Sequence, residues 1–95
     1  MPNATAFTTP TVHMNGTGFK TLNEDMEKID DAFFLFINTW ERVEFNARDY
    51  YVQGPEAFTQ ARDERLAINV KIRDIKRYID AHRIAIDKQR PPTRP

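Results

Sequence analysis

Two short segments carry the residue types that bind ligands, and the first is HMNGTGFK at residues 13–20. Two glycines flank a threonine just before a predicted helix, so backbone amides there could converge on an anion, helped by Lys20 and the helix dipole. Alternatively, Asn15-Gly16 is an ordinary turn dipeptide and Gly18 only lets the chain bend. The spacing of the glycines and the lysine does not match a P-loop. The candidate ligand-binding residues of this segment are His13, Asn15, Gly16, Thr17, Gly18 and Lys20.

The second segment is FNARDYYVQGPE at residues 45–56, which connects two predicted helices. An arginine can bind phosphate or carboxylate through two N–H groups, a tyrosine ring can stack on a base, and a glutamine amide can read a base edge. Alternatively, Arg48 pairs with Asp49 or Glu44 and one tyrosine closes the end of the core. Because adjacent side chains diverge, we predict that one of the two tyrosines points outward. The candidate ligand-binding residues of this segment are Arg48, Tyr50, Tyr51 and Gln53.

Arg65 is a further candidate, because it occupies a position predicted to face the core or an interface. A guanidinium there must be paired, extend to the surface or bind an anionic ligand. His13 and His82 could approach each other, but two histidines without a nearby acidic pair favour a hydrogen-bonded core histidine over a metal site. The chain has no cysteine, no serine and no His/Glu group at metal-binding spacing, so we expect neither a metal, a cofactor nor an enzymatic activity.

Hydrophobic periodicity predicts a helix over about 21–45. TLNE at 21–24 has the pattern of a capping box, in which the Thr21 and Glu24 side chains bond each other's backbone amides. Apolar residues then recur at spacings of four and three, which is typical of a helix that packs on a partner. The recurring residues are Leu22, Met26, Ile29, Phe33, Phe36, Trp40 and Val43.

A second helix is predicted over about 55–89, since Pro55 suits a first helical position and Pro91 and Pro92 stop a helix. Its recurring residues are Phe58, Ala61, Arg65, Ile68, Ile72, Ile75, Ile79, His82 and Ile86. We therefore predict an all-α fold: a two-helix antiparallel hairpin over 13–90, with a flexible N-terminal arm at 1–12 and a disordered tail at 91–95. Because the second helix is longer, apolar residues of segment 7–19 are expected to cover its end.

Charge is balanced over the 95 residues, with 14 basic and 14 acidic side chains, so no global charge favours a nucleic acid polymer or an anionic membrane. The lack of cysteine fits a reducing cytoplasm, and the start of the chain lacks a signal-peptide pattern. The longest apolar run, AFFLFI at 32–37, is far shorter than the ~20 residues of a membrane helix. We expect a cytoplasmic protein.

Self-association is expected, because a single hairpin leaves one apolar face uncovered, including Phe34, Ile37, Leu66 and Val70. The resulting homo-oligomer, a dimer or larger, would form a helical bundle. In an antiparallel dimer, segment 13–20 of one protomer would lie beside segment 45–56 of its partner, and the two loops could form one site.

At HMNGT (13–17) and NARDYYVQG (46–54), the chain resembles small, helical, uncharacterised proteins of tailed phages and prophages. In general build it is similar to phage anti-defence proteins that sequester cyclic nucleotide signals, although it matches no motif of a named family of these. The resemblance implies phage origin, a small helical architecture and the cytoplasm of a host cell. We therefore expect a non-catalytic binder that sequesters a nucleotide-derived immune signal. The alternative is a helical interaction module that inhibits a host or phage protein by direct docking.

Overall fold

The computed structural model describes residues 7–92 and shows two long helices, α1 (Phe19–Arg42) and α2 (Ala57–Asp87). Two single-turn 3-10 helices, Ala47–Asp49 and Tyr51–Gln53, form the connection, and no strand occurs in this range. The long helices are antiparallel. Arg83 Nη1 lies 2.6 Å from Asp30 Oδ2, and the Trp40 indole N–H donates to Asn69 Oδ1 at 2.7 Å. The predicted all-α helical hairpin is confirmed.

The start of α1 is set by a glycine and not by the predicted capping box. Gly18 has a φ of 74°, a conformation that L side chains rarely adopt, and its carbonyl accepts a hydrogen bond from the Leu22 amide at 3.2 Å. The helix therefore begins at Phe19, which places Thr21 inside its first turn. The prediction of the capping box was wrong because the bend at Gly18 comes three residues before Thr21, where the box would begin.

Both helices are slightly shorter at the hairpin end than expected. The first ends at Arg42, since Val43 has an extended backbone, and not near residue 45. The second begins at Ala57 and not at Pro55, because residues 54–57 form a turn in which the Ala57 amide donates to the Gly54 carbonyl at 3.3 Å. Gly54 has a φ of 123°, so this turn also depends on glycine.

The core is small and lies mainly on the second helix. Its buried residues are Ile72, Ile79, His82 and Ile86. The predicted apolar pattern divides into two rows, each with members seven residues apart. One row, with Phe33, Trp40 and Ile72, lies between the helices and lines the groove there. The other is largely uncovered, with side chains 38–50% exposed, and we call it the lateral row: Ile29, Phe36, Val43, Ile68 and Ile75.

Of the four residues predicted to form an uncovered apolar face, three are exposed and one is not. Phe34, Leu66 and Val70 are 52–64% exposed, as predicted. Ile37, in contrast, is half-buried and lines the groove between the helices. The expectation for Ile37 was wrong because its helical position faces α2.

The chain before α1 packs against the C-terminal part of α2. The Val12 amide donates to Gln89 Oε1 at 2.7 Å, and Gln89 Nε2 donates to the Pro10 carbonyl at 3.0 Å. The Phe7 ring meets the Tyr78 ring edge-on, with centroids 5.1 Å apart. Residues 7–12 thus lack regular structure but are held in place, which fits the prediction of a segment that covers the end of α2 and not the prediction that residues 1–12 form a flexible arm. Positions 1–6 of the predicted arm and 93–95 of the predicted tail lie outside the described residues.

Candidate functional site

The two predicted ligand-binding segments lie at opposite ends of α1. One precedes Phe19 and the other follows Arg42, so a 24-residue helix separates them, which corresponds to about 36 Å. His13, Asn15, Gly16, Thr17, Gly18 and Lys20 are at one end; Arg48, Tyr50, Tyr51, Gln53 and Arg65 are at the other. One copy of the chain therefore cannot use both segments on one small ligand.

Segment 13–18 forms a turn that leads into the helix. The Gly16 amide donates to the His13 carbonyl at 3.1 Å, and most side chains of the segment are exposed. No side chain bonds the first amides of α1 within the described part of the chain. The segment thus forms the predicted turn. Both interpretations of its glycines, as an anion-binding site and as a simple bend in the chain, require such a turn.

In the hairpin connection the two tyrosines diverge, as predicted. The Tyr50 ring packs between those of Phe45 and Phe58, with centroid distances of 6.2 and 6.1 Å. Tyr51 is 69% exposed. Its side chain is therefore available to a ligand or a partner, whereas Tyr50 closes the end of the hairpin.

Arg48 does not form the ion pair that was the alternative to ligand binding. Asp49 Oδ2 instead accepts a hydrogen bond from the Asn46 amide at 3.0 Å, which closes the first 3-10 turn. Between residues 7 and 92, no carboxylate lies within ion-pair distance of the Arg48 guanidinium. Arg48 is exposed and adjoins the exposed Tyr51 along the connection.

Arg65 holds the end of α1. Its Nη2 donates to the Trp40 carbonyl at 2.9 Å and to the Val43 carbonyl at 2.7 Å. Its Cζ lies 4.4 Å from the Trp40 ring centroid and 4.9 Å from that of Phe45. A cation is favoured here, because the carbonyls at a helix C-terminus lack partners and carry partial negative charge. Arg65 is thus paired with backbone oxygens, which gives it a structural role.

The two histidines have separate environments. His82 is buried, and its Nδ1 lies 3.0 Å from the Tyr78 carbonyl, which can only accept, so Nδ1–H is the donor. The predicted hydrogen-bonded core histidine is confirmed. His13 is exposed in the turn before α1. Over residues 7–92, no group of three or more His, Cys, Asp or Glu side chains could hold a metal ion.

Sequence reasoning missed a groove of about 530 Å³ between the helices. Its floor includes Ile37 and Ile72, the Trp40–Asn69 hydrogen bond crosses it, and Arg73 lies at its rim. The polar Asn69, which stands between Ile68 and Val70 in the sequence, is the signal that could have indicated this groove. Arg65 lines this groove: its Nη2 donates to carbonyls at the end of α1, and its Nη1 is buried without a hydrogen-bond partner among the described residues.

The lateral row forms a continuous strip on one side of the hairpin. A helix turns about 100° per residue, so Phe36 lies about 120° from Asp30 around α1 and Ile75 about 80° from Arg83 around α2, on the other flank of the contact between the helices. The register set by this pair and by the Trp40–Asn69 bond places Phe36 level with Ile75 and Val43 level with Ile68. Val43 is 14 positions after Ile29, so the strip is about 21 Å long.

Neither helix in the described range is long and apolar enough to cross a membrane. No protein-family model matches the chain, and no curated protein or solved structure is significantly similar to it. Function must therefore be inferred from the chain's own surface and loops.

Proposed function

We propose that this protein is a non-catalytic helical interaction module that docks onto a protein partner through the lateral row and thereby inhibits it. One observation carries the proposal: a hairpin with only three buried apolar side chains in its described part leaves a strip of five large apolar side chains uncovered. Contiguous apolar strips of this kind are typical of docking surfaces.

The energetics favour a partner on this strip. Fully burying a large apolar side chain contributes about 1.5–3 kcal/mol, and each member of the lateral row retains 38–50% of its exposure. Covering five such residues would contribute several kcal/mol, comparable to the free energy of unfolding of a small domain. The opposite side differs in that it carries an ion pair and a hydrogen bond between the helices.

The decisive experiment compares two phenylalanines on α1. Phe36 belongs to the lateral row, while Phe34 is even more exposed but lies on another flank of the helix. A partner isolated from host cells on immobilised protein should form a stoichiometric complex with the purified protein and with Phe34→Glu. Phe36→Glu should lose the complex, because a carboxylate would be buried in the contact. If both variants bind equally well, the lateral row is not the docking surface.

The resemblance to small phage proteins supports a place of action in the host-cell cytoplasm and a partner from the host or the phage. Bacterial cells that carry a related prophage are therefore the appropriate source for the partner. A complex that forms only with extracellular proteins would contradict this part of the proposal.

A second candidate function is the sequestration of a nucleotide-derived, phosphate-bearing immune signal at the hairpin connection. It is favoured by two features of the same connection: Arg48, which has no ion pair in the described range, and, three residues later, the exposed ring of Tyr51. A cation and an aromatic face are the groups that bind phosphate and base. Gln53 is exposed in the same connection and offers an amide.

A thermal-shift screen against cyclic oligonucleotides and ADP-ribose derivatives tests this candidate. We expect a rise in melting temperature, recovery of the ligand intact after heating, and loss of binding in Arg48→Ala. Arg42→Ala is the matched control, since Arg42 is an exposed arginine at the end of α1. If no nucleotide changes the melting temperature, this candidate fails and the interaction module remains.

A further inference from the structure

We infer that the first partner of the lateral row is a second copy of this chain, arranged so that α1 of each copy packs on α2 of the other. This inference rests on the proposed function, because it names the first occupant of the same surface, which a host or phage partner would have to displace. The product is a four-helix bundle whose twofold axis runs along the helices, with the two hairpin connections at the same end.

The spacing of the apolar residues is the first argument. In a helical bundle, residues at alternating spacings of three and four all face the interior. In a single hairpin only one of the two rows lies between the helices, while the lateral row is exposed at Phe36, Val43 and Ile75. A second hairpin of the same chain carries the same row with the same seven-residue spacing, so the two strips match layer by layer.

The surroundings of the row favour close approach. Ala32 and Thr39 flank it on α1, and Ala67 and Lys71 flank it on α2. The three small residues allow a second pair of helices to come within about 8–10 Å, the usual distance between packed helices, while the flexible Lys71 side chain can extend to solvent. Residues 7–12 contact Tyr78 on α2 and Gln89 just after it, while Phe36 and Val43 remain 43–48% exposed.

Charge decides the orientation. The first helix carries three basic and six acidic side chains, whereas the second carries seven basic and five acidic ones. With α1 on the partner's α2, helices of opposite net charge become neighbours. With α2 on the partner's α2, two copies of Lys71, which lies beside Ile68 and Ile75 on the helix surface, would face the same interface.

This orientation differs from the antiparallel dimer expected from the sequence. It does not bring segment 13–20 of one copy beside segment 45–56 of the other. Instead, Arg48 and Tyr51 of both copies lie at one end of the bundle. A ligand there would meet two cations and two exposed aromatic rings.

Light scattering on the purified protein tests whether a second copy of the chain occupies the lateral row. We expect twice the mass of one chain at micromolar concentration for the parent and for Phe34→Glu, and a shift to one chain for Phe36→Glu. A parent of single-chain mass would overturn the inference but leave docking onto a different protein intact. A Phe36→Glu variant that stays dimeric would exclude the lateral row from the self-contact, which also overturns it.

The orientation is tested in the parent background, because Phe36→Glu could also unfold the chain. The absence of native cysteine allows a spin label at Val52→Cys, a position that is 79% exposed. Double electron–electron resonance should give a short distance between the two labels, about 20 Å. Both connections lie at one end of a bundle whose neighbouring helices are about 8–10 Å apart. A distance of about 40 Å or more would place the connections at opposite ends and overturn the orientation.

Discussion

At the scale of single residues, the most consequential side chain is Arg65, which joins the two helices at the hairpin end. It reaches from α2 to two carbonyls at the end of α1 and lies over the Trp40 and Phe45 rings. Hydrogen bonds from a charged donor and contacts between a cation and an aromatic ring are each stronger when partly shielded from water. The chain therefore turns at Val43 because a residue 22 positions later satisfies its carbonyl.

We predict that Arg65→Ala lowers the free energy of unfolding by about 2–4 kcal/mol, since it removes both hydrogen bonds and the ring contacts. Urea denaturation followed by circular dichroism measures the change. Arg62→Ala is the control, because Arg62 is exposed and pairs only with the neighbouring Asp63 at 3.7 Å within the described range, so its change should stay within about 0.5 kcal/mol. Equal effects of the two substitutions would show that Arg65 does not hold the end of α1.

The sequence predicted part of this arrangement and left part undetermined. The rule that adjacent side chains diverge was sufficient to separate Tyr50 from Tyr51, because it depends only on local geometry. The role of Arg65 could be narrowed to three outcomes but not decided. Its partners are backbone carbonyls at the end of α1, far away in the sequence. Because every residue has a backbone carbonyl, the sequence gives no sign of which ones Arg65 binds. The exposure of Arg48 likewise depends on Asp49 bonding a backbone amide instead of the guanidinium.

At the scale of elements, the segment before α1 acts as a strap that is attached through Gln89. That side chain accepts from the Val12 amide and donates to the Pro10 and Ala85 carbonyls. The strap covers Tyr78, whose other neighbour is the buried His82 ring, with centroids 4.1 Å apart. One glutamine thus connects the irregular segment to the core at the end of α2.

We predict that Gln89→Ala loosens the strap without unfolding the helices. The Val12 amide should lose protection from hydrogen exchange by roughly tenfold, because a hydrogen bond contributes about 0.5–1.5 kcal/mol and 1.4 kcal/mol corresponds to a factor of ten. Exchange measured by NMR in the parent, in Gln89→Ala and in Lys88→Ala separates the effect from a general loss of stability. Unchanged protection of Val12 in Gln89→Ala would mean that ring packing of Phe7 alone holds the segment.

Helix existence was predictable from periodicity, whereas helix ends were not. Apolar spacing identified both helices and the antiparallel hairpin, because burial of an apolar stripe stabilises a helix more than its intrinsic propensity does. The ends depended on single conformations, such as the positive φ of Gly18, and on the remote contact of Arg65 with Val43. The local capping-box pattern at TLNE did not set the start of α1, because the bend at Gly18 did.

At the scale of the whole molecule, the chain is long and thin, with principal extents of 64 × 33 × 23 Å. Only Ile72, Ile79, His82 and Ile86 are buried among the described residues, which is a small core for a chain of 95 residues. A partner that covered the lateral row would therefore add much to the stability of such a hairpin. If that cover is a second copy, folding and association are coupled, and stability depends on protein concentration.

We therefore predict that the melting temperature of the parent rises with protein concentration. Each tenfold increase adds about 1.4 kcal/mol per dimer, which corresponds to roughly 3–4 °C for a unit of this size, and differential scanning calorimetry over a hundredfold range would measure it. Phe36→Glu should melt at a lower temperature with no dependence on concentration. Ile37→Glu should melt at a lower temperature than the parent at every concentration, because Ile37 is half-buried between the helices and a carboxylate there loses part of its hydration. A concentration-independent melting temperature in the parent would contradict the coupling, and an Ile37→Glu variant as stable as the parent would contradict the position of Ile37 within the hairpin.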